Sequence, residues 1–192
     1  VPMDRRAVFH KHIGGGSRVG IEVGALDRPT LTSADADIRY LDHLDTNALR
    51  QKYANDPNIN AAGIVEVSYV WQDEPLAEVV GADTRFDFFV ASHVIEHVPN
   101  LIGWFNEIHG VLKPGGRLLL IIPDKRFTFD IHRRCTDISD IVDAHFSNQR
   151  RPAYGQIFDQ LFRAAEVEAA AAWKPGFTPE AAPPLQHHGP LL

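Results

Sequence analysis

Two carboxylates and a glycine near the start of the chain have the types and spacing of a cofactor site. Glu22 and Gly24 lie in VGIEVGALDRP, where an apolar run is followed by an acid and then by a glycine. Asp42 closes a second apolar run, and the distance of about 20 residues is that of an acid that binds a ribose diol. The pattern predicts an adenosine-containing cofactor at the ends of these two segments.

The loop after Gly24 lacks the further glycines of a dinucleotide-binding loop, because Leu26 and Arg28 stand in their places. Such glycines let the backbone approach a pyrophosphate at a helix N-terminus. A cofactor without phosphate, such as S-adenosylmethionine, tolerates the bulkier loop. Glu22 could attract the ammonium group of that cofactor, directly or through water, whereas an acid beside a pyrophosphate would repel it. Gly24 still allows close approach of the backbone.

The segment HVIEH, residues 93–97, has a second possible chemistry. His93, Glu96 and His97 match the inverted signature of zinc peptidases, in which two histidines bind the metal. That arrangement needs a long helix, but an apolar strand precedes the segment and Pro99 follows it. We favour a turn that lines the cofactor, with His97 near its reactive end and no metal. A buried histidine bonded to the backbone is an equally open interpretation of His97.

Composition and charge limit the class of protein. The chain has 192 residues, of which 44% are hydrophobic and 23% charged, as in one soluble globular domain. The net charge of −6 predicts no nucleic-acid or membrane partner, and no apolar run approaches the ~20 residues of a membrane span. The single cysteine, Cys135, fits a reducing compartment. With no signal-peptide core near the N-terminus, the sequence predicts a cytoplasmic protein of bacterial type.

Five short apolar runs predict a doubly wound, mainly parallel α/β sheet. Most of them lack two-residue alternation, as strands do when helices cover both faces. Helix candidates lie between the runs, which favours right-handed crossovers. The runs are RVGIEV, DIRYLD, IVEVSYV, FDFFVAS and RLLLII, and the helix candidates are TNALRQKYA, EPLAEVV and NLIGWFNEIHGVL.

Capping and turn residues predict the element boundaries. Asp45 or Thr46 is expected to cap the first helix candidate, and the third is expected to stop at residues 114–116, PGG. Between the first two strands, Pro29 leaves room only for a turn or a loop. Beyond the fifth run, TDISDIVDAHFSN and AYGQIFDQLFRAAEVEAAAAW predict helices, and the tail from residue 175 predicts disorder.

Four segments in order make residues 18–124 resemble a class I S-adenosylmethionine-dependent methyltransferase of the type 11 group. IEVGA resembles the first motif and YLDH the ribose-binding strand end. FDFFVASHVIEHVPN resembles the fourth strand with its turn, and LKPGGRLLLIIPD the fifth strand with its preceding helix end. The resemblance implies a Rossmann-like methyltransferase fold and S-adenosylmethionine as cofactor. It implies cofactor-binding roles for Glu22, Gly24, Ala25, Leu26, Asp42, His43, Ser68, Tyr69, Val70, Ser92 and His93.

The resemblance also implies methyl transfer to a small-molecule or glycan acceptor, at oxygen. The chain is similar to a subgroup found among glycan-modifying bacterial enzymes. His97 is the first candidate for a base that accepts the proton of a hydroxyl acceptor, and His93 is the second. The loop after the fifth strand offers candidate substrate contacts, which are Asp124, Lys125 and Arg126. A nicotinamide-dependent oxidoreductase and a catalytically inactive methyltransferase-like module stay open as alternatives.

The resemblance divides the chain into a methyltransferase domain, residues 1–174, and a tail, 175–192. The domain comprises a cofactor half, 18–124, and a helical part, 125–174. Ser68 stands where the family often has an aspartate, and the family's sixth and seventh strands are missing after RLLLII. We therefore expect a five-stranded sheet of order 3-2-1-4-5. A helix, a second copy of the chain in a homodimer, or strands from elsewhere would cover its last strand.

Overall fold

The computed structural model describes residues 4–13, 17–167, 172, 174, 176–178 and 182–185. The chain forms two compact units. The first, here called the sheet unit, comprises Val1–His97 and Gly103–Ile121. The second, here called the helical unit, comprises Val98–Ile102 and Ile122–Leu192.

The sheet unit contains five parallel strands in the order β3-β2-β1-β4-β5. This result confirms the predicted parallel α/β fold and strand order. In the part of the chain that the structure describes, no strand after β5 joins the sheet. The strands are β1 Val19–Val23, β2 Asp37–Asp42, β3 Tyr69–Val70, β4 Phe86–Ser92 and β5 Leu112–Ile121.

Six α-helices are present among the described residues. They are α1 Arg5–Ile13, α2 Thr46–Lys52, α3 Leu76–Val80, α4 Leu101–Val111, α5 Ile138–Phe146 and α6 Tyr154–Arg163. Short 3-10 turns lie at Ala61–Gly63, Ile95–His97 and Lys125–Phe127. Asp45 caps α2, as predicted, by accepting a hydrogen bond from the Ala48 N–H at 2.9 Å. The link between β1 and β2 contains only turns and loops, also as predicted.

Buried aromatic side chains on β4 explain why the sheet needs a glycine in β1. The Phe88 side chain is 1% exposed, and β1 pairs with β4 so that Gly20 lies opposite Phe88. A Cβ atom on Gly20 would lie 2.0 Å from the Phe88 ring. The β1 strand therefore approaches this ring as closely as only a glycine permits.

The first helix, α1, was not predicted from the sequence. Its Phe9 and Ile13 side chains pack in a core cluster with Phe88 and with Leu31 from the β1–β2 link. Most of the other residues of α1 are exposed and charged or polar. The helix therefore depends on two tertiary contacts and lacks the repeated apolar stripe that reveals a helix in a sequence.

Two predicted elements are shorter in the structure. The run IVEVSYV forms a strand only at Tyr69–Val70, because the Val65 N–H donates to the Leu26 carbonyl and the Val67 N–H to Thr46 Oγ1. The helix predicted over residues 153–173 ends at Arg163. Ala165 instead forms an antiparallel bridge with Pro184, so the prediction of a long helix was wrong. Most of the predicted tail lies outside the described residues.

The end of α4 also differs from the prediction. The helix ends at Val111, and β5 begins directly at Leu112. Phe86 pairs with Leu112 and Phe88 with Arg117, so the KPGG segment forms an irregular bulge at the start of the strand. Gly115 has a φ of 77° in this bulge, a conformation that favours glycine. The KPGG residues are therefore part of β5 and do not terminate the helix themselves.

Candidate cofactor-binding site

Three of the predicted residues lie level with one another at the carboxyl edge of the sheet. Val23 is opposite Leu41 in β2 and opposite Ala91 in β4. The next residue of each chain segment is therefore Gly24, Asp42 or Ser92. Ligands of open parallel sheets bind at this edge, where the connections from neighbouring strands diverge.

Glu22 holds the loop that follows β1. Its side chain is buried, and its two carboxylate oxygens accept hydrogen bonds from the Thr30 N–H at 2.8 Å and the Leu31 N–H at 3.1 Å. Burial raises the pKa of Glu22, and the hydrogen bonds from Thr30 and Leu31 act in the opposite direction. Because both oxygens already bind the loop, the structure supports an indirect role for Glu22 in shaping the site.

Leu26 takes the backbone conformation that the missing glycine would provide. Its φ is 47°, close to the value of 69° at Gly24. A left-handed conformation costs a residue with a Cβ roughly 1–2 kcal/mol, and such conformations cluster at functional sites. The Leu26 carbonyl accepts the Val65 N–H at 3.0 Å. The loop therefore keeps a glycine-like geometry because contacts outside it hold Leu26 in place.

A second contact joins the same loop to the segment before β3. Asp27 Oδ2 accepts the Asn60 N–H at 2.9 Å, and the Arg28 guanidinium donates to the Asn58 carbonyl at 3.0 Å. The Arg28 N–H donates to the Ala25 carbonyl at 3.0 Å and closes a turn. Ala25 is buried. The predicted cofactor loop is thus fixed on both sides before any ligand binds.

Asp42 has one carboxylate oxygen engaged and one available. Oδ1 accepts the backbone N–H of His43 at 2.8 Å and lies 2.6 Å from His43 Nδ1. No donor among the described residues bonds to Oδ2, although the side chain is only 8% exposed. Lys52 Nζ lies 2.9 Å from His43 Nε2, which assigns the ring proton to Nδ1 because the ammonium can only donate. Asp42 is therefore oriented by its neighbour and keeps an acceptor for a ligand hydroxyl.

The three predicted residues of the β3 region extend the same edge. The Ser68 N–H donates to the Tyr40 carbonyl at 2.8 Å, and Ser68 Oγ accepts the Tyr40 N–H at 3.3 Å. Tyr69 packs edge-to-face on Phe86, with ring centroids 6.5 Å apart. Val70 pairs with Asp42 and is 41% exposed. Val70 thus presents an exposed apolar side chain beside the residue predicted to bind a ribose.

The two candidate bases lie in the turn after β4. His93 has a φ of 55°, and its N–H donates to the Ile121 carbonyl at 2.9 Å. Its Nδ1 lies 3.7 Å from Glu96 Oε1. The His97 N–H donates to the Val94 carbonyl at 2.9 Å, and the residue is exposed. The structure therefore places a carboxylate beside His93 and leaves the His97 side chain at the surface.

The geometry of HVIEH does not match that of a zinc peptidase. Ile95–His97 is a single 3-10 turn, whereas two histidines four residues apart share a face only on an α-helix. Within the described parts of the chain, no group of three histidine, cysteine, aspartate or glutamate side chains could hold a metal ion. His97 is exposed, which also removes the alternative of a buried histidine.

The predicted substrate contacts Asp124, Lys125 and Arg126 belong to the helical unit. Asp124 Oδ2 accepts a hydrogen bond from Arg126 Nη2 at 2.5 Å. The hydrogen bond from Arg126 lowers the pKa of Asp124. Lys125 Nζ donates to the carbonyls of Ile131 and Arg133 at 2.9 and 2.6 Å. These side chains therefore stabilise their own loop.

Several residues that shape the site could not be predicted from the sequence. Lys52 orients His43, and the backbone N–H groups of Thr30 and Leu31 bind Glu22. Tyr40 donates from its hydroxyl to the Leu31 carbonyl at 2.8 Å. Burial, and then the charges of Glu22 and Asp35, raise the pKa of Tyr40. These contacts join residues eight or nine positions apart, so no local pattern in the sequence reveals them.

A comparison of sequences identifies the family to which the chain belongs. A family model described as a methyltransferase domain matches residues 18–174. The chain belongs to this methyltransferase family. The match extends from β1 through α6 and beyond, and it leaves out α1. Membership of the family confirms the resemblance found in the sequence.

A curated protein shares a shorter stretch with this methyltransferase-family chain. It is "Probable polyketide synthase 29" of Dictyostelium discoideum, 34% identical over 83 residues. That stretch is 43% of this chain and 3% of the synthase. The matched stretch is therefore a small part of that protein.

Solved methyltransferase structures are also similar to the chain. The CcbJ methyltransferase from Streptomyces caelestis is 17% identical with a TM-score of 0.45, and the match covers 71% of this chain and 53% of that one. The glycopeptide N-methyltransferase MtfA, complexed with sinefungin, is 21% identical with a TM-score of 0.44, covering 65% and 55%. The chain thus spans about half the length of these two structures.

No helix among the described residues is long and apolar enough to cross a membrane.

Proposed function

We propose that this chain binds S-adenosylmethionine at the carboxyl edge of its sheet and transfers the methyl group to an oxygen of a small-molecule or glycan acceptor. Membership of the methyltransferase family supports the reaction class. The observation that carries the proposal is Asp42, which is buried at the end of β2, oriented by His43, and has one carboxylate oxygen without a donor among the described residues.

The loop after β1 favours this cofactor over a dinucleotide. A pyrophosphate is bound by the N-terminus of a helix that directly follows the first strand. Here turns and loops occupy residues 24–36, and the buried carboxylate of Glu22 lies beneath them. The residues present therefore suit a ligand that carries a ribose but no phosphate.

Each predicted residue then has a physical task. Asp42 Oδ2 accepts hydrogen bonds from ribose hydroxyls, and His43 and Lys52 hold that carboxylate in place. Gly24, Ala25 and Leu26 supply the backbone against which the amino-acid part of the cofactor lies. We assign the adenine to the side of Ser68, Tyr69 and Val70. Ser92 and His93 close the site from β4.

Methyl transfer requires alignment of the acceptor and removal of its proton. When bound, S-adenosylmethionine supplies an electrophilic methyl group on a sulfonium sulfur. The fixed loop and the turn after β4 would hold the reactants in line. A hydroxyl acceptor loses a proton, which a histidine can accept. His97 is accessible to an acceptor, and His93 has Glu96 at 3.7 Å to pair with the imidazolium that forms.

Calorimetric titration with S-adenosylmethionine and, separately, with NAD tests the cofactor assignment. We expect binding of S-adenosylmethionine and none of NAD. Binding of NAD alone would support the oxidoreductase alternative. Cofactor binding without methyl transfer to any hydroxyl compound would support an inactive module. A cytoplasmic location and a homodimer stay predictions of the sequence.

Substitution of Asp42 tests the position of the site. Asp42→Ala should weaken S-adenosylmethionine binding by roughly 1.5–3 kcal/mol, because ribose hydroxyls lose a charged acceptor. Asp37→Ala is the matched control, since Asp37 is the first residue of the same strand and is exposed. An unchanged affinity in folded Asp42→Ala protein would remove Asp42 from the site.

Substitution of the two histidines tests the base. Replacement of the true base by alanine should lower turnover about 10²–10⁴-fold and leave cofactor affinity nearly intact. We expect the loss for His97→Ala, with His93→Ala as the competing variant. His109→Ala is the control, because His109 is exposed at the end of α4. Full turnover of both His97→Ala and His93→Ala would mean that the acceptor needs no base from this turn.

A further inference from the structure

The helical unit contains a cavity of about 820 Å³. It lies between α5, α6 and the segment that precedes α5, and every residue that lines it belongs to this unit. The volume is in the range of ~300–1,000 Å³ that small-molecule sites occupy. None of the residues proposed to bind the cofactor lines it.

The wall of the cavity is polar but electrically balanced. It contains three arginines and three aspartates, which are Arg133, Arg134, Arg163, Asp140, Asp143 and Asp159. Their formal charges cancel. A site that binds phosphate or another anion has an excess of positive charge, and a cation site has an excess of carboxylates. The balance therefore indicates a neutral ligand.

Pairing within the wall strengthens this conclusion. Arg134 Nη1 and Nη2 donate to the two oxygens of Asp140 at 2.6 and 2.7 Å. Asp159 lies 2.8 Å from Arg163 Nε and 3.2 Å from Arg133 Nε. Each arginine is thus paired with a carboxylate of the same wall, and a charged ligand would have to compete with that partner.

The cavity still offers donors and acceptors side by side. Among the described residues, the Asp143 carboxylate accepts no hydrogen bond, and the terminal guanidinium nitrogens of Arg163 donate none. Gln149 Nε2 donates to Gln156 Oε1 at 3.1 Å. The oxygen of Gln149 and the nitrogen of Gln156 stay available to a ligand. Neighbouring hydroxyl groups of a sugar each donate and accept, and so match such a mixed wall.

An aromatic ring completes the arrangement. Phe146 is among the lining residues, and its residue exposure is 84%. The C–H face of a sugar ring is apolar and packs on an aromatic face, which gains area burial and orientation. We propose that this cavity binds a neutral sugar unit of the methyl acceptor. The assignment rests on the proposed methyltransferase function and names its acceptor class as glycan.

Ligand-detected NMR and calorimetry with defined sugars test the proposal. The probes are methyl α-D-glucoside, methyl α-D-galactoside, methyl α-D-mannoside and methyl α-L-rhamnoside, with glucose 6-phosphate and glucosamine as charged comparisons. We expect at least one neutral glycoside to bind and both charged sugars to bind more weakly. Phe146→Ala and Asp143→Ala should each weaken glycoside binding at least fivefold. Phe158→Ala is the matched aromatic control, because Phe158 is 59% exposed on α6 but does not line the cavity.

A charge variant tests the balance directly. Asp159→Asn removes one negative charge from the wall and should raise the affinity for glucose 6-phosphate above that of the unmodified protein. Failure of every glycoside to bind, or equal binding by Phe146→Ala, Asp143→Ala and the control, would overturn the sugar assignment. S-adenosylmethionine affinity, measured on the same samples, tests the proposed function separately. Intact cofactor binding without sugar binding would overturn the cavity assignment alone.

Discussion

The sheet unit and the helical unit distribute their polar and apolar side chains in opposite ways. In the sheet unit, Phe86, Phe88 and Phe89 are at most 1% exposed. In the helical unit, α6 has no buried residue, and its Phe158 and Phe162 are 59% and 56% exposed with their rings stacked 4.2 Å apart. The polar side chains of α5 and α6 line a cavity instead.

This difference matches the different requirements of a cofactor site and of an acceptor-binding surface. A cofactor site needs its groups fixed within a fraction of an ångström, and rigid, closely packed strands provide that precision. Binding surfaces for variable ligands are found on less densely packed segments that a scaffold supports. We therefore expect the sheet unit to contribute most of the folding stability. We expect the helical unit to determine the specificity for the methyl acceptor.

The largest expected effect comes from paired aromatic substitutions. Phe89→Ala should lower the free energy of unfolding by about 3–5 kcal/mol, because it leaves a cavity in the sheet core where Phe89 packs on Trp104. Phe158→Ala should change it by less than about 0.5 kcal/mol. Urea denaturation of both variants gives the comparison. Equal losses would mean that the exposed face of α6 contributes to folding as a core does.

Part of this contrast could be predicted from the sequence. The run FDFFVAS coincides with β4, because a strand buried on both faces needs nearly continuous apolar residues. The run DIRYLD coincides with β2. The exposed face of α6 could not be predicted, since apolar spacing suggests that Ile157 and Leu161 face a core. Ile157 is instead 45% exposed. A periodic pattern identifies a helix but not what covers it.

Some residues of the candidate site could be predicted from the sequence and others could not, because a local pattern reveals strand ends but not tertiary contacts. The positions of Gly24 and Asp42 follow from strand ends, which apolar runs reveal. The left-handed Leu26 could not be predicted, because its conformation depends on the bond from Val65. The buried role of Glu22 depends on the N–H groups of Thr30 and Leu31. Such contacts arise from the tertiary fold and leave no local sequence pattern.

A smaller effect concerns two aspartates with similar pKa values in different settings. Burial acts to raise the pKa of Asp35, but hydrogen bonds from Thr32, Arg6 and His10 outweigh it and lower the pKa to about 2. A bidentate hydrogen bond from Arg134 lowers the pKa of Asp140 to about 2. The Asp35 side chain is 1% exposed, whereas that of Asp140 is 29% exposed.

Acid titration of stability should therefore respond more strongly to Asp35 than to Asp140. A depressed folded-state pKa gives stability that is present above the unfolded value near 4 and is lost as the pH falls toward 2. At pH 7, Asp35→Asn should cost roughly 1–3 kcal/mol, and it should remove part of the loss between pH 4 and pH 2. Asp140→Asn should change the profile less, since solvent screens a partly exposed pair. A profile that changed for Asp140→Asn and not for Asp35→Asn would contradict the comparison.

Amide ¹H–¹⁵N NMR during titration with S-adenosylmethionine tests the central claim, that the carboxyl edge of the sheet binds this cofactor. We expect the largest shift changes on residues 24–26, 42–43, 68–70 and 92–93. Residues 154–163 of α6 should change little, and Asp42→Ala should require a higher cofactor concentration for the same changes. The absence of any shift at saturating cofactor, or changes confined to the helical unit, would contradict this assignment of the cofactor site.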